Sequence, residues 1–304
     1  MSAATVVRVG GKALKFSNLE KVLYPETGFT KGQMLAYYAR IAPFLLPHLK
    51  GRALTLKRYP DGVAAGFFYE KNCPKHRPPW VKTRNIATEG RPGGIDYCTI
   101  DSLPGLLWVA NLGTIELHTS LALAKRVDRP TMMVLDLDPG APAGLLDAVR
   151  IAMALREALK VLGLMSVPKV SGGKGVHVHV PLNTAVTYAE TKVLAHGLAK
   201  LMERQHAGRV TATMRKAERA GKVFIDWSQN DGHKTTACVY TMRAQSRPTV
   251  AAPVGWEELG TALRRGRESG LVFSPEEAVA RAERADLAAV LITEKQAVPE
   301  ALVG

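Results

Sequence analysis

The strongest constraint on the fold is an alternation of side-chain character that recurs in three short stretches. Residues 132–140 read MMVLDLDPG, residues 176–180 read VHVHV, and residues 223–227 read VFIDW. Successive side chains on a strand point to opposite faces. Asp136 and Asp138 therefore share one face while Leu135 and Leu137 enter a core. His177 and His179 oppose Val176, Val178 and Val180, and Asp226 lies with Phe224 and Ser228, opposite Val223, Ile225 and Trp227. Helical periodicity fills the gaps, predicting helices over about 143–161 and 188–206, the second opened by the capping box Thr187–Glu190. A further strand is expected at about 166–170. This order fits a mixed sheet with helices packed on it, an α/β (α+β) class.

The flanking segments are more varied. SNLEKVLYP carries a capping pattern from Ser17 to Glu20 and ends at Pro25, which predicts a short helix. Thr30 and Gln33 repeat the pattern ahead of Met34, Tyr37, Tyr38 and Ile41, a helix that Pro43 should bend or end. RALTLKRYP and GFFYEKN read as strands flanking the turn Pro60-Asp61-Gly62. The tail is helical, with a strong start at Ser274-Pro275-Glu276-Glu277. No internal repeat or low-complexity linker interrupts the chain. We expect one domain over 1–304, with segments at 1–128, 129–255 and a helical tail at 256–304.

Charge narrows the function classes. The 304 residues carry a formal net charge of +14, clustered at Lys57-Arg58, Arg215-Lys216, Arg219 with Lys222, and Arg264-Arg265. A polyanionic partner follows. Nucleic acid is favoured over phospholipid because no strongly amphipathic basic helix stands out. No apolar run reaches the ~18 residues of a membrane span, and the N-terminus lacks the apolar stretch of a signal peptide. The three cysteines, Cys73, Cys98 and Cys238, are widely spaced and odd in number, unlike a disulfide framework. These features lead us to expect a cytoplasmic protein without a membrane partner. Cys73 and His76 form half of a zinc site with no second pair nearby.

Three motifs carry chemistry. Adjacent carboxylates such as Asp136 and Asp138 repel each other, and a hard divalent cation, Mg²⁺ or Mn²⁺, resolves that repulsion. The alternative is a strand end with two solvated acids. In SGGKG, residues 171–175, a glycine-rich turn lets backbone amides approach an anion, and Lys174 adds a point charge. The Walker A spacing is absent, and a strand follows in place of a helix. His177 and His179 could hold zinc or line a phosphate pocket. Asp226, in an apolar strand, needs a partner; a shared ion or ordinary hydrogen bonds would serve. Acids on strands, an anion turn and a basic surface together suit metal-assisted phosphoryl or nucleotidyl transfer through two ions. Nuclease chemistry uses the same parts.

Taken in order, VLDLDPG, SGGKGVHVHVPL and GKVFIDWSQN resemble the three catalytic motifs of the archaeo-eukaryotic primase superfamily. More narrowly the chain is similar to the polymerase domain of bacterial ligase D, which serves non-homologous end joining. The likeness runs from SNLEKVLYP near Ser17, through GRALTLKRYPDG, FFYEK and IELHT, to TVAAP at 249–253. It implies a primase-polymerase fold, with an N-terminal α/β lobe at 1–128 and an RRM-like catalytic lobe at 129–255. No ligase or nuclease domain is present, so the chain is a stand-alone polymerase or one domain of a larger protein.

The resemblance also implies roles. Asp136, Asp138 and Asp226 would hold two Mn²⁺ or Mg²⁺ ions while a primer 3′-hydroxyl attacks the α-phosphate of an incoming ribo- or deoxyribonucleoside triphosphate. Ser171, Gly173, Lys174 and His177 would hold that nucleotide, with His118, Lys57, Gln229 and Arg243 around the same pocket. Asn18, Lys21 and Lys31 would grip a 5′-phosphate across a DNA gap. Both lysines are expected near helix N-termini, where free amides favour anions. Phe68 and Tyr69 would stack on a template base, although FFYEK leaves open whether Phe67-Phe68 is the matching pair. Gapped or broken DNA, Ku and an ATP-dependent ligase are the implied partners, in a nucleoid-associated setting. The competing expectations are an end-binding or synapsis module without catalysis, and a metal-dependent nuclease.

Overall fold

A computed structural model describes residues 5–299. The chain forms two compact units and crosses between them repeatedly. Among the described residues the first holds 5–120, 235–250 and 273–286, and the second 121–234, 251–272 and 287–299. The segments 1–128, 129–255 and 256–304 are cut differently from these units. Thr236–Ala237 pairs with the strand Thr114–Thr119, and the helix Pro275–Arg284 packs on the helix Lys31–Leu49, so both belong to the first unit. Residues 1–4 and 300–304, the ends of the span read as one domain, lie outside the described residues.

Among the described residues, the second unit has a five-stranded sheet in the order Val167–Val170, Val176–Pro181, Met132–Pro139, Val223–Asp226, Val210–Thr211. The pairings are antiparallel except the last, which is parallel, so the sheet is mixed. Helices Leu145–Val161 and Tyr188–Gln205 fill the two long connections, giving a β-α-β-β-α-β order. Both helices pack on the Met132–Pro139 strand. Register explains which face they cover. Leu135 stands opposite Val178, and Leu137 stands opposite Val176 on one side and Ile225 on the other. All five are fully buried. The alternation read from the sequence is therefore the division between a helix-covered apolar face and a polar one.

The first unit is built on a six-stranded sheet ordered Thr236–Ala237, Thr114–Thr119, Leu54–Arg58, Arg91–Thr99, Lys82–Thr88, with Phe68–Glu70 also paired to Leu54–Arg58. The helix Lys31–Leu49 packs against Leu103–Asn111. Its Thr30–Gln33 capping box forms as expected. Pro43 and Pro47 do not end it. Tyr38, Ile41, Leu45 and Leu49 continue one fully buried stripe across both prolines, and that burial outweighs the ~3 kcal/mol a proline costs a helix interior.

Two expectations fail here. The Ser17–Glu20 pattern starts no helix: Asn18 takes a left-handed φ of 53°, and Val22–Tyr24 forms a strand paired with Phe29–Thr30. Asparagine tolerates that conformation, which breaks a helical turn at its first residue. Cys73 and Cys98 are joined in a disulfide. The Lys82–Thr88/Arg91–Thr99 hairpin folds Cys98 back beside the loop holding Cys73, whose N–H donates to Asp96 O at 2.6 Å. Cys73 is therefore no half of a zinc site, and the His76 ring packs edge-on against Trp108. Cys238 is buried and lies outside this disulfide.

Candidate active site

The polar face of the second unit's sheet assembles the motifs. Asp136 stands directly opposite Asp226 on one neighbouring strand and opposite His177 on the other. Directly opposed residues of antiparallel strands share a face, so His177, Asp136 and Asp226 form a row across three strands. Asp138 lies two residues further along its strand, on the same face and exposed. His177 Nε2 is 3.3 Å from Asp136 Oδ1, and the His177 and His179 rings stack at 5.8 Å. Both histidines are buried.

Asp226 is held by its own turn. The strand ends in a single 3₁₀ turn, Trp227–Gln229, that Asp226 caps. Ser228 donates to Asp226 Oδ1 through its N–H at 3.1 Å and its hydroxyl at 2.5 Å, and Gln229 Nε2 donates to Oδ2 at 2.9 Å. Gln229, assigned above to the nucleotide, is thus engaged with the acid. Asn230, which the motif reading passed over, anchors the turn. Fully buried, it accepts from Val134 N–H at 2.9 Å and donates to Val134 O at 2.7 Å. Those bonds fasten the Asp226 turn to the Asp136 strand.

The donor set fits a hard divalent ion: carboxylate oxygens from neighbouring positions of one face, with no thiolate among them. Among the described residues, no three His, Cys, Asp or Glu side chains are already gathered around a common cation position.

The Ser171–Gly175 turn closes next to this row. Its shape comes from two glycines: Gly172 has a φ of 74°, and a Cβ on Gly175 would sit 2.7 Å from Leu137 O. Ser171 Oγ accepts from the N–H groups of Gly173 and Gly175 at 3.3 and 3.1 Å. Those amides stabilise the turn, which leaves the exposed Lys174 as its outward cation.

In the first unit a second cluster surrounds Glu116. Lys57 stands opposite Glu116 in register, and Tyr69 opposite Lys57, so one face carries all three. Glu116 is almost fully buried. Its carboxylate lies 3.3 Å from Lys57 Nζ, 2.9 Å from His118 Nε2 and 3.3 Å from Arg243 Nε, and accepts from Ala244 N–H at 3.2 Å. Burial opposes its ionisation, but the His118 hydrogen bond and the charges of Arg243, His118 and Lys57 prevail, holding it well below the usual carboxylate range. Burial pushes the His118 imidazole down, against the pull of Glu116. Three residues that the resemblance assigns to the nucleotide therefore converge on one carboxylate that sequence reasoning left without a role. The only available signal was the position of Glu116 two residues before His118, on the same strand face.

Lys57 Nζ also lies over the Phe67, Tyr59 and Tyr69 rings, at 4.4, 5.3 and 5.7 Å. Phe67 is half exposed, not core. It shares the Lys57 face with Tyr69, whereas Phe68 turns to the other face against Arg58, 5.1 Å away. Phe68 and Tyr69 are both exposed but present opposite faces.

Asn18, Lys21 and Lys31 gather at one helix N-terminus. Lys21 is not at a helix start; its N–H donates to Asn18 O, and its carbonyl accepts from Lys31 N–H at the beginning of Lys31–Leu49. Lys21 Nζ pairs with Asp61 at 2.6 Å, and Lys31 Nζ donates to Ser17 O at 2.9 Å. Burial and the neighbouring Lys21 charge lower the Lys31 pKa to about 8.

Residues 30–285 match the family described as "LigD, primase-polymerase domain". The multifunctional non-homologous end joining DNA repair protein LigD of Mycobacterium tuberculosis is 41% identical over 253 residues, 80% of this chain and 33% of that protein. The bifunctional LigD of Bacillus subtilis is 32% identical over 251 residues, 82% of this chain and 40% of that protein. The chain thus spans about a third of the length of its mycobacterial relatives. The solved polymerase domain of Mycobacterium tuberculosis ligase D in complex with DNA superposes with a TM-score of 0.84 at 37% identity, covering 93% of this chain and 99% of that one. The mixed helix-backed sheet is that domain's fold, and by these matches the chain belongs to the LigD primase-polymerase family of nucleotidyltransferases.

Proposed function

We propose that this chain catalyses metal-dependent, template-directed nucleotide addition at DNA gaps and broken ends during non-homologous end joining. The observation that carries the reading is the row Asp226–Asp136–His177, with Asp138 beside it, on one sheet face. Two Mn²⁺ or Mg²⁺ ions bound by Asp136, Asp138 and Asp226 would supply Lewis-acid stabilisation of the phosphates and an activated hydroxyl. Ser171 and Gly173 shape the turn that carries Lys174 to the triphosphate, and His177 orients Asp136. The primer 3′-hydroxyl attacks the α-phosphate and pyrophosphate leaves. Lys57, His118 and Arg243, held by Glu116, are proposed as further nucleotide contacts, and Gln229 as a group that orients Asp226. Phe68 and Tyr69 are the proposed template-stacking residues, each from its own face, where a stacked base is worth ~1–3 kcal/mol.

The relatives' names, the DNA bound by the solved relative and the +14 charge support DNA as the partner. Ku and an ATP-dependent ligase, and a cytoplasmic, nucleoid-associated location, extend the same reading. Among the described residues no helix is long and apolar enough to cross a membrane. The deciding experiment is primer extension on a 5′-phosphorylated gapped duplex, with either metal and either sugar. Template-dependent extension is expected. Strand cleavage without nucleotide would identify a nuclease, and binding without either reaction an end-binding module.

Asn18, Lys21 and Lys31 are proposed to hold the 5′-phosphate. Lys31 is charged below a pH of about 8 and neutral above it. Affinity for a 5′-phosphorylated gap is therefore expected to fall about tenfold as pH is raised through that value, the scale of a lost charge-assisted hydrogen bond. A 5′-hydroxyl gap lacks this break. Fluorescence anisotropy on both substrates measures it, and parallel pH curves would remove Lys31 from the phosphate site.

A further inference from the structure

Behind Asp226 stands a group that no motif includes. Lys234 Nζ bonds to Ser228 Oγ, the same oxygen whose proton goes to Asp226 Oδ1. The direction of this chain is fixed by proton counting. A lysine ammonium only donates, and a hydroxyl has one proton. Ser228 Oγ must accept from Lys234, so its single proton is committed to the carboxylate. The loop that delivers Lys234 is itself braced: Lys234 N–H donates to Asp231 O at 3.1 Å, His233 N–H donates to Asp231 Oδ1 at 3.0 Å, and Asp231 Oδ2 pairs with Lys192 at 2.9 Å.

From this geometry we infer that Ser228 and Lys234 are positioning residues for Asp226. Lys234 polarises and orients the Ser228 hydroxyl, and Ser228 fixes the rotation of the acid through Oδ1. Gln229 fixes it through Oδ2. The carboxylate plane is thereby set before any ion arrives, and the Lys234 charge is kept one residue away from the ion-binding oxygens. Outer hydrogen bonds of this kind orient ligating carboxylates, and losing one costs 10–100-fold in metal affinity. The inference rests on the proposed metal-binding role of Asp226 and extends it to residues outside the three acids.

The test is titration of the protein with Mn²⁺ alone, following free Mn²⁺ by electron paramagnetic resonance, with thermal melting of every variant. Lys234→Met and Ser228→Ala are expected to weaken Mn²⁺ binding by about 10–100-fold. Ser228→Thr, which keeps the hydroxyl, restores it. Nucleotide addition should show the same order in kcat at saturating nucleotide, with KM for the nucleotide little changed. Unchanged Mn²⁺ affinity in Lys234→Met and Ser228→Ala overturns the inference, as does a loss that follows melting temperature and is not rescued by Ser228→Thr. Asp138→Ala in the same titration separates the two levels. If it abolishes Mn²⁺ binding while Lys234→Met does not, the relay alone is wrong. If it leaves binding intact, the metal reading itself falls.

Discussion

Asp138→Ala is expected to reduce nucleotide addition about 10³-fold or more while DNA binding survives. Asp138 is exposed at the end of its strand, two residues from Asp136 on the same face. The described structure uses its carboxylate in no hydrogen bond or ion pair, so its removal costs the fold little. Its absence removes an oxygen that the proposed function gives to the metal, and metal stabilisation of transition-state charge is worth several kcal/mol, each 1.36 kcal/mol being tenfold in rate. In the proposed function a gapped duplex is held through its phosphates by lysines and arginines, so loss of one acid leaves that binding in place. Single-turnover extension and anisotropy on one substrate separate the effects. Full extension by the variant would take Asp138 out of the mechanism.

Glu116→Ala should produce the largest loss of stability of any substitution considered. The carboxylate is buried and faces Lys57, His118 and Arg243 within 3.3 Å. Lys57 and Arg243 are themselves mostly buried. Removing the shared acid takes from Lys57 and Arg243 the carboxylate they both face, and breaking a buried ion pair from one side typically costs ~3–5 kcal/mol. An unfolding midpoint lowered by roughly 10 °C is expected, together with a raised KM for nucleotide. Glu116→Gln keeps the volume and should lose less. Because the carboxyl pKa is depressed in the folded protein, its contribution is present above the ordinary carboxylate pKa of about 4.3 and is lost as pH falls below it. The stability gap between the parent protein and the Glu116→Gln variant in denaturant unfolding should therefore narrow in acid. A gap that is constant from about pH 7 to about pH 3 contradicts this account of the cluster.

The sheet of the second unit was legible because its signals are local. Alternation in MMVLDLDPG and VHVHV fixes which side chains face the helices, and Thr187–Glu190 marks a helix start within the same few residues. The failures came where distant segments compete with local preference. The Ser17–Glu20 box was overridden by strand pairing between Val22–Tyr24 and Phe29–Thr30. Cys73 found Cys98 across 25 residues, through a hairpin whose register no spacing rule reveals.

Residue alternation by itself determined that Asp136 and Asp138 share a face, because a strand's period of two depends only on backbone geometry. The positive charge and the glycine-lysine turn were equally plain in the residues themselves. Only the tertiary structure decided that Asp226 stands opposite Asp136, that Asn230 fastens its turn to Val134, and that Glu116 gathers Lys57, His118 and Arg243. Register between strands far apart in the chain is set by which apolar faces bury together, and that is a property of the whole packed sheet.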